Sequence, residues 1–144
     1  MKLFVTGVGG QLGHDVIKEL SKRGHQSVGS DIQSEYTGTQ DCDEIREMTY
    51  MTLDITDEQA VLDAITNVRP DAIIHCAGWT NVDKAEDKDN QESVKAVNVQ
   101  GTLNIAKAAR SVDAKMLYIS TDYVFDGRGD RPWHPDDKDY APIN

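Results

Sequence analysis

Three glycines, Gly7, Gly10 and Gly13, recur at three-residue intervals in TGVGGQLG, between the apolar run KLFVT (residues 2–6) and a segment of helical periodicity starting at Gln11. That setting suits phosphate chemistry. Glycine allows a sharp turn, a second glycine lets a pyrophosphate approach the main chain, and the following helix N-terminus offers free N–H groups and partial positive charge. A tight turn with close helix packing would use the same residues, but the strand-turn-helix context favours the phosphate. Asp31 closes the next strand 24 residues after Gly7 (31 − 7). A carboxylate there can accept hydrogen bonds from ribose hydroxyls and repel a 2′-phosphate. No Lys or Arg lies between Asp31 and Arg46 to offset that charge. Asp54, with Ile55, ends a third strand where an adenine would be flanked, although Asp54 reads equally well as a residue preceding a helix cap. Further on, YISTDYVFDG (118–127) climbs through an apolar run to Ser120, Thr121, Asp122 and Tyr123. It has the form of a strand handing polar groups to an active site.

The elements that must position these residues alternate strand and helix from the first residue, which predicts an α/β fold with a mostly parallel sheet. Strands are expected at 2–6, 26–30, 49–53, 71–77 and 114–120. Leu12, Val16, Ile17 and Leu20 share one helical face, stopped by Gly24. Thr56 and Gln59 have capping-box spacing ahead of Val61, Leu62, Ile65 and Val68, with Pro70 as the stop. A long helical pattern runs from about Gln91 to Ser111. Asn98 within it reads more naturally as a polar residue satisfied in its own helix than as a relay. Residues 32–48 are polar and irregular and predict a surface excursion holding one or two helical turns in CDEIREM. Glycine, proline and aspartate after Phe125 predict loop.

Composition narrows the classes. The 144 residues are enough for one domain with a core, and too few for two ordinary ones. A net charge of −10 with no basic cluster argues against a nucleic-acid partner. No run approaches the ~18 apolar residues of a membrane span, and MKLFVTG lacks the apolar core of a signal peptide. No membrane association and a cytoplasmic address are the expectation. Cys42 and Cys76 sit in unlike settings and predict free thiols. The four histidines are scattered, and no Cys/His spacing resembles a metal site.

TGVGGQLG, LDI at 53–55, CAGWTNVDKAE at 76–86 and YISTDYVFDG at 118–127 together resemble the extended short-chain dehydrogenases, and among them the dTDP-4-dehydrorhamnose reductase family. The blocks occur in the family's order over essentially the whole chain. VDKAE and STDYVFDG are the specific ones. The resemblance implies a Rossmann-type doubly wound parallel sheet, here reaching about five strands. It implies reduction of a 4-keto group on a dTDP-sugar, dTDP-4-dehydro-L-rhamnose to dTDP-L-rhamnose, by NADH or NADPH, with Asp31 leaning toward NADH. Gly10, Gln11 and Leu12, within the Gly7 to Gly13 turn, would hold the pyrophosphate. Asp31 with Ile32, and Asp54 with Ile55, would line the adenosine. Gly78, Trp79 and Thr80 would border the ribose and nicotinamide. Thr121 would be the catalytic hydroxyl and, with Asp122, would touch the sugar. The chain departs from the family in the long 33–48 link and in HCAG (75–78), where relatives often have asparagine and alanine.

Ketone reduction also needs a proton for the developing alkoxide. The family supplies it from a Tyr-x-x-x-Lys helix. Four residues after Tyr36, Tyr50, Tyr118, Tyr123 and Tyr140 stand Gln40, Asp54, Asp122, Gly127 and Asn144, and none is lysine. The expectation is an incomplete dinucleotide-binding domain over 1–144, without the catalytic helix and the substrate domain, that binds dinucleotide but does not turn over. Its fifth strand would be an uncovered sheet edge inviting self-association, as in a homodimer. Two other readings use the same motifs: a non-catalytic regulatory subunit resembling the methionine adenosyltransferase β-subunit, and a plain NAD-sensing module.

Overall fold

The computed structural model describes residues 1–40, 42–138 and 140–142; Ile143 and Asn144, the end of the APIN segment, lie outside them. Strands β1 (Lys2–Thr6), β2 (Gln26–Asp31), β3 (Thr49–Thr52), β4 (Ala72–His75) and β5 (Lys115–Tyr118) form one parallel sheet in the order β3-β2-β1-β4-β5. The chain starts in the middle, runs to one edge, then returns past β1 to build the other half. The order therefore reverses between β1 and β4, which opens a crevice at the carboxyl ends of those strands.

Strand β1 shows why both faces are covered. Its side chains alternate, so Leu3 and Val5 enter one core while Phe4 enters the other. The first core takes Ile17 and Leu20 from α1 (Gln11–Lys22) and Ile45 from α2 (Asp43–Arg46). The second takes Val61 and Ile65 from α3 (Glu58–Val68) and Ile105, Ala108 and Ala109 from α6 (Thr102–Ser111). Phe4, Val5, Ile65, Ile73 and Ile105 are fully buried. Each such side chain stabilises the fold by about 1.5–3 kcal/mol relative to exposure. The sheet is thus a Rossmann-type α/β layer with helices on both faces, as the alternating pattern predicts.

Three local expectations are corrected. The cap of α3 is Asp57, whose carboxylate accepts from Ala60 N at 3.0 Å. Thr56 turns back instead, donating through N and Oγ1 to Asp54 Oδ1 at 2.9 and 2.7 Å. An aspartate one residue later simply offers the stronger acceptor to the helix. The long helical pattern is not uniform: α5 (Gln91–Lys95) and α6 are joined by a π-helical segment, Ala96–Gly101. Residues 32–48 are more than a surface excursion. Ile45 is 3% exposed, and Tyr36, Cys42 and Met48 pack against its core. A four-residue helix shows too little periodicity to announce that burial. A short helix, α4 (Val82–Ala85), also forms in the polar loop after β4, capped by Asn81 Oδ1 accepting from Lys84 N at 3.0 Å.

Among the described residues, no helix is long and apolar enough to cross a membrane. Neither Cys42 nor Cys76 is in a disulfide.

Candidate functional site

The glycine turn is fixed by backbone contacts. Gly7 has φ +72°, and a Cβ there would stand 2.6 Å from Ala77 N of the neighbouring strand end. Gly7 N donates to Ser30 O at 2.8 Å, and Gly10 N to Gly7 O at 3.1 Å. A Cβ on Gly13 would lie 2.3 Å from Gly7 O, so this glycine lets α1 press on the turn. Gly10 is different. Its Cβ would meet only Gly7 O, at 3.4 Å, a contact at the edge of ordinary packing. The protein's own atoms give little reason for glycine there. Gly10 is exposed, it is the N-cap of α1, and no side chain caps that helix end. A pyrophosphate seated against Gly10, Gln11 and Leu12 would use both the bare backbone and the helix N-terminus. The residues present fit such a group.

Asp31, at the end of β2, accepts from Gly9 N at 2.9 Å through Oδ2 and from Ile32 N at 2.8 Å through Oδ1. These bonds orient the carboxylate at the rim of the turn. Lone pairs remain for hydroxyl donors. Asp54 is held by Thr56, as described above, and stays exposed. Ile55 is 7% exposed, with its tip against Gly101, where a Cβ would come within 2.6 Å of Ile55 Cδ1. Its side chain is therefore largely committed to the core while its edge borders the cleft.

On the other side of the reversal, strand register sets Thr6 beside His75. Thr6 Oγ1 and His75 Nδ1 are hydrogen-bonded at 2.7 Å, and His75 Nε2 and Thr102 Oγ1 at 3.1 Å. Thr6 Oγ1 also accepts from Ala77 N at 3.1 Å. Burial lowers the His75 pKa from 6.5 to about 4, so the ring is neutral at pH 7 and serves as a crosslink rather than an acid. Burial likewise pushes the Cys76 thiol up.

Asn98 also departs from expectation. Its carboxamide leaves the helix altogether: Oδ1 accepts from Trp79 N at 2.7 Å and Nδ2 donates to Trp79 O at 3.1 Å. The π-helical turn displays this side chain toward Gly78, whose missing Cβ would lie 3.3 Å from Asn98 Oδ1. The segment Gly78–Thr80 is thereby clamped at the cleft wall. Sequence reasoning missed Asn104 entirely. It is 1% exposed, and Nδ2 donates to Ile55 O at 3.0 Å and Thr56 O at 3.2 Å, which fixes the β3–α3 corner. Only its polarity at an apolar helix face could have flagged it.

Thr121 caps a 3-10 turn, Asp122–Val124, by accepting from Tyr123 N at 3.1 Å. That bond uses an oxygen lone pair and leaves the hydroxyl hydrogen to donate elsewhere. The sequence-predicted residues Gly7, Gly10 to Gly13, Asp31, Ile32, Asp54, Ile55, Gly78 to Thr80, Thr121 and Asp122 all line one cleft of about 1600 Å³. Its two long walls are the glycine turn and the end of β5. Among the described residues, no group of three or more His, Cys, Asp or Glu side chains is placed to hold a metal ion.

The sequence profile described as RmlD substrate binding domain matches residues 1–144. The dTDP-4-dehydrorhamnose reductase of Mycolicibacterium smegmatis is 37% identical over 145 residues, covering 99% of this chain and 37% of the relative. The crystal structure of dTDP-4-dehydrorhamnose reductase from Bacillus anthracis in complex with NADP is 34% identical, with a TM-score of 0.76, over 99% of this chain and 43% of that one. The enzyme WbmH of Bordetella bronchiseptica in complex with NAD+ is 26% identical, with a TM-score of 0.79, over 99% and 47%. The chain spans less than half the length of the curated relatives it matches.

Proposed function

The chain belongs to the family described as RmlD substrate binding domain, and from that membership we propose that it is the dinucleotide-binding part of a reductase acting on the 4-keto group of a dTDP-sugar. The substrate class is that of dTDP-4-dehydro-L-rhamnose, reduced to dTDP-L-rhamnose. One observation carries the reading: the glycine turn, Asp31 and the Thr121–Asp122 strand end line the same cleft where strand order reverses.

In this reading Gly10, Gln11 and Leu12 hold the pyrophosphate. Asp31 with Ile32 holds the adenosine ribose, and Asp54 with Ile55 borders the adenine. Gly78, Trp79 and Thr80, clamped by Asn98, border the nicotinamide ribose. The bound dihydronicotinamide, from NADH or NADPH, supplies a hydride to the carbonyl carbon. Thr121 donates a hydrogen bond to the carbonyl oxygen and, with Asp122, orients the sugar, which lowers the cost of charge developing on that oxygen. The developing alkoxide still requires a proton. No Tyr-x-x-x-Lys occurs in these 144 residues, and we place that acid outside them.

The test compares the 144-residue chain with a longer protein carrying it, given a dTDP-4-keto sugar and NADH. The longer protein should consume NADH, while the 144-residue chain binds NADH without turnover. Ketone reduction by the 144-residue chain alone would overturn the division of labour. No dinucleotide binding by either would overturn the reading itself.

A further inference from the structure

The segment after the 3-10 turn has no regular secondary structure, yet two sets of side-chain contacts hold it in one shape. Phe125 and Trp133 stack with ring centroids 4.2 Å apart and planes 5° apart, and Tyr140 lies against the same Phe125 ring at 5.9 Å. Arg131 donates through Nη1 and Nη2 to the two carboxylate oxygens of Asp137, at 2.8 and 3.0 Å, and His134 N donates to Asp137 Oδ2 at 2.7 Å. A two-pronged pair of this kind fixes orientation as well as distance. The Arg131 guanidinium also stands 5.8 Å from the centre of the Trp133 ring, which joins the clasp to the stack.

The far end of this loop returns to its beginning. Ala141 N donates to Val124 O at 3.0 Å, and Phe125 N to Asp122 O at 3.1 Å. These bonds seat Tyr140 next to the turn Asp122–Val124 that Thr121 caps. Tyr140 lines the same cleft as Thr121 and Asp122. Phe125 uses only part of its ring, since Tyr140 remains 61% exposed. A half-free aromatic face held beside a hydroxyl and a carboxylate suits a pyranose. The polar groups bond the sugar hydroxyls, and the flat apolar face lies against the C–H side of the sugar ring.

We propose that Tyr140 is a sugar-contacting residue of the β5 wall, its ring packing on the pyranose that Thr121 and Asp122 orient. The Phe125–Trp133 stack and the Arg131–Asp137 clasp are the positioning device that holds it there. The inference rests on the cleft taking a nucleotide sugar. It assigns the loop after β5 to the sugar alone, so dinucleotide binding at the glycine turn is indifferent to it.

The experiment is calorimetric titration of a longer protein carrying this chain with dTDP-L-rhamnose, with dTDP and with NADH, for wild type, Tyr140→Ala, Tyr140→Phe and Trp133→Leu. Wild type should bind dTDP-L-rhamnose tighter than dTDP. Y140A should weaken dTDP-L-rhamnose by roughly tenfold while dTDP and NADH keep their affinities. Y140F keeps the ring and should stay within about twofold of wild type. W133L leaves Tyr140 in place without its support and should give a smaller loss in the same direction. Circular dichroism and the NADH titration check that the variants are folded. Unchanged dTDP-L-rhamnose binding in Y140A would overturn the proposal. Equal weakening of dTDP and dTDP-L-rhamnose would put the ring on the base and overturn the sugar contact. A loss in Y140F as large as in Y140A would assign the contact to the hydroxyl and overturn the stacking. Wild type that binds NADH but neither dTDP compound would sink the nucleotide-sugar reading itself.

Discussion

The two long walls of the cleft are built differently. The glycine-turn wall rests on strands buried on both faces, and its conformation is dictated by backbone groups 2.3 to 2.6 Å from where side chains would otherwise stand. The β5 wall is open. Leu117, Tyr118 and Ile119 are 53%, 50% and 44% exposed, whereas β1 has Phe4 and Val5 at 0%. Thr121 and Asp122 continue from this exposed strand, held by local bonds from Tyr123 N to Thr121 Oγ1 and from Phe125 N to Asp122 O. The contrast shows that the glycine-turn wall is fixed by contacts within these residues. The β5 wall takes less of its shape from the rest of the chain.

The largest effect should come from pressing on the closed wall. Gly13→Ala drives a Cβ into the Gly7 carbonyl oxygen and should cost about 3 kcal/mol or more, read from the urea midpoint. Gly10→Ala sharpens the same point. Its nearest neighbour is at 3.4 Å, so stability should change by less than about 1 kcal/mol while NADH affinity falls roughly tenfold or more. Equal destabilisation by the two would mean that Gly10 serves packing rather than a phosphate.

Next comes the His75 crosslink. Its pKa is about 4 when folded, against 6.5 ordinarily, so between those values the folded chain binds fewer protons than the unfolded one. Stability from this ring is fully present above pH 6.5 and is lost as pH falls to about 4, a total of about 3 kcal/mol. Urea titrations at stepwise pH should show that limb, and His75→Asn should flatten it.

Asn104→Ala strips hydrogen bonds from Ile55 O and Thr56 O and should cost about 2 kcal/mol, without shifting the acid limb. The smallest effect belongs to the open wall. Leu117→Lys should change stability by no more than about 0.5 kcal/mol, because the side chain is already half in water. The same substitution should suppress self-association through the β5 edge, visible by light scattering. A large loss of stability would show that β5 is packed more tightly than its exposure indicates.

Legibility in the sequence followed the range of the interactions. KLFVT, the glycine spacing and Asp31 announce themselves because strand period, turn chemistry and helix start are all local. The same is true of STDYVFDG as a strand end. The π-helical turn is invisible, since VKAVNVQGTLNI carries an ordinary helical pattern, and the extra residue per turn serves contacts made by Asn98 and Gly101 with distant segments. Ile45 was hidden by a helix only four residues long.

The sequence by itself determined the alternation of elements, the glycine turn at Gly7 to Gly13 and the family. Each depends on residues adjacent along the chain. Tertiary structure alone decided that His75 is a neutral crosslink, that Asn98 grips Trp79, and that Tyr36 is hydrogen-bonded to His14 of α1. Those outcomes depend on strand register and on burial, which arise only when segments 19 to 69 residues apart come into contact.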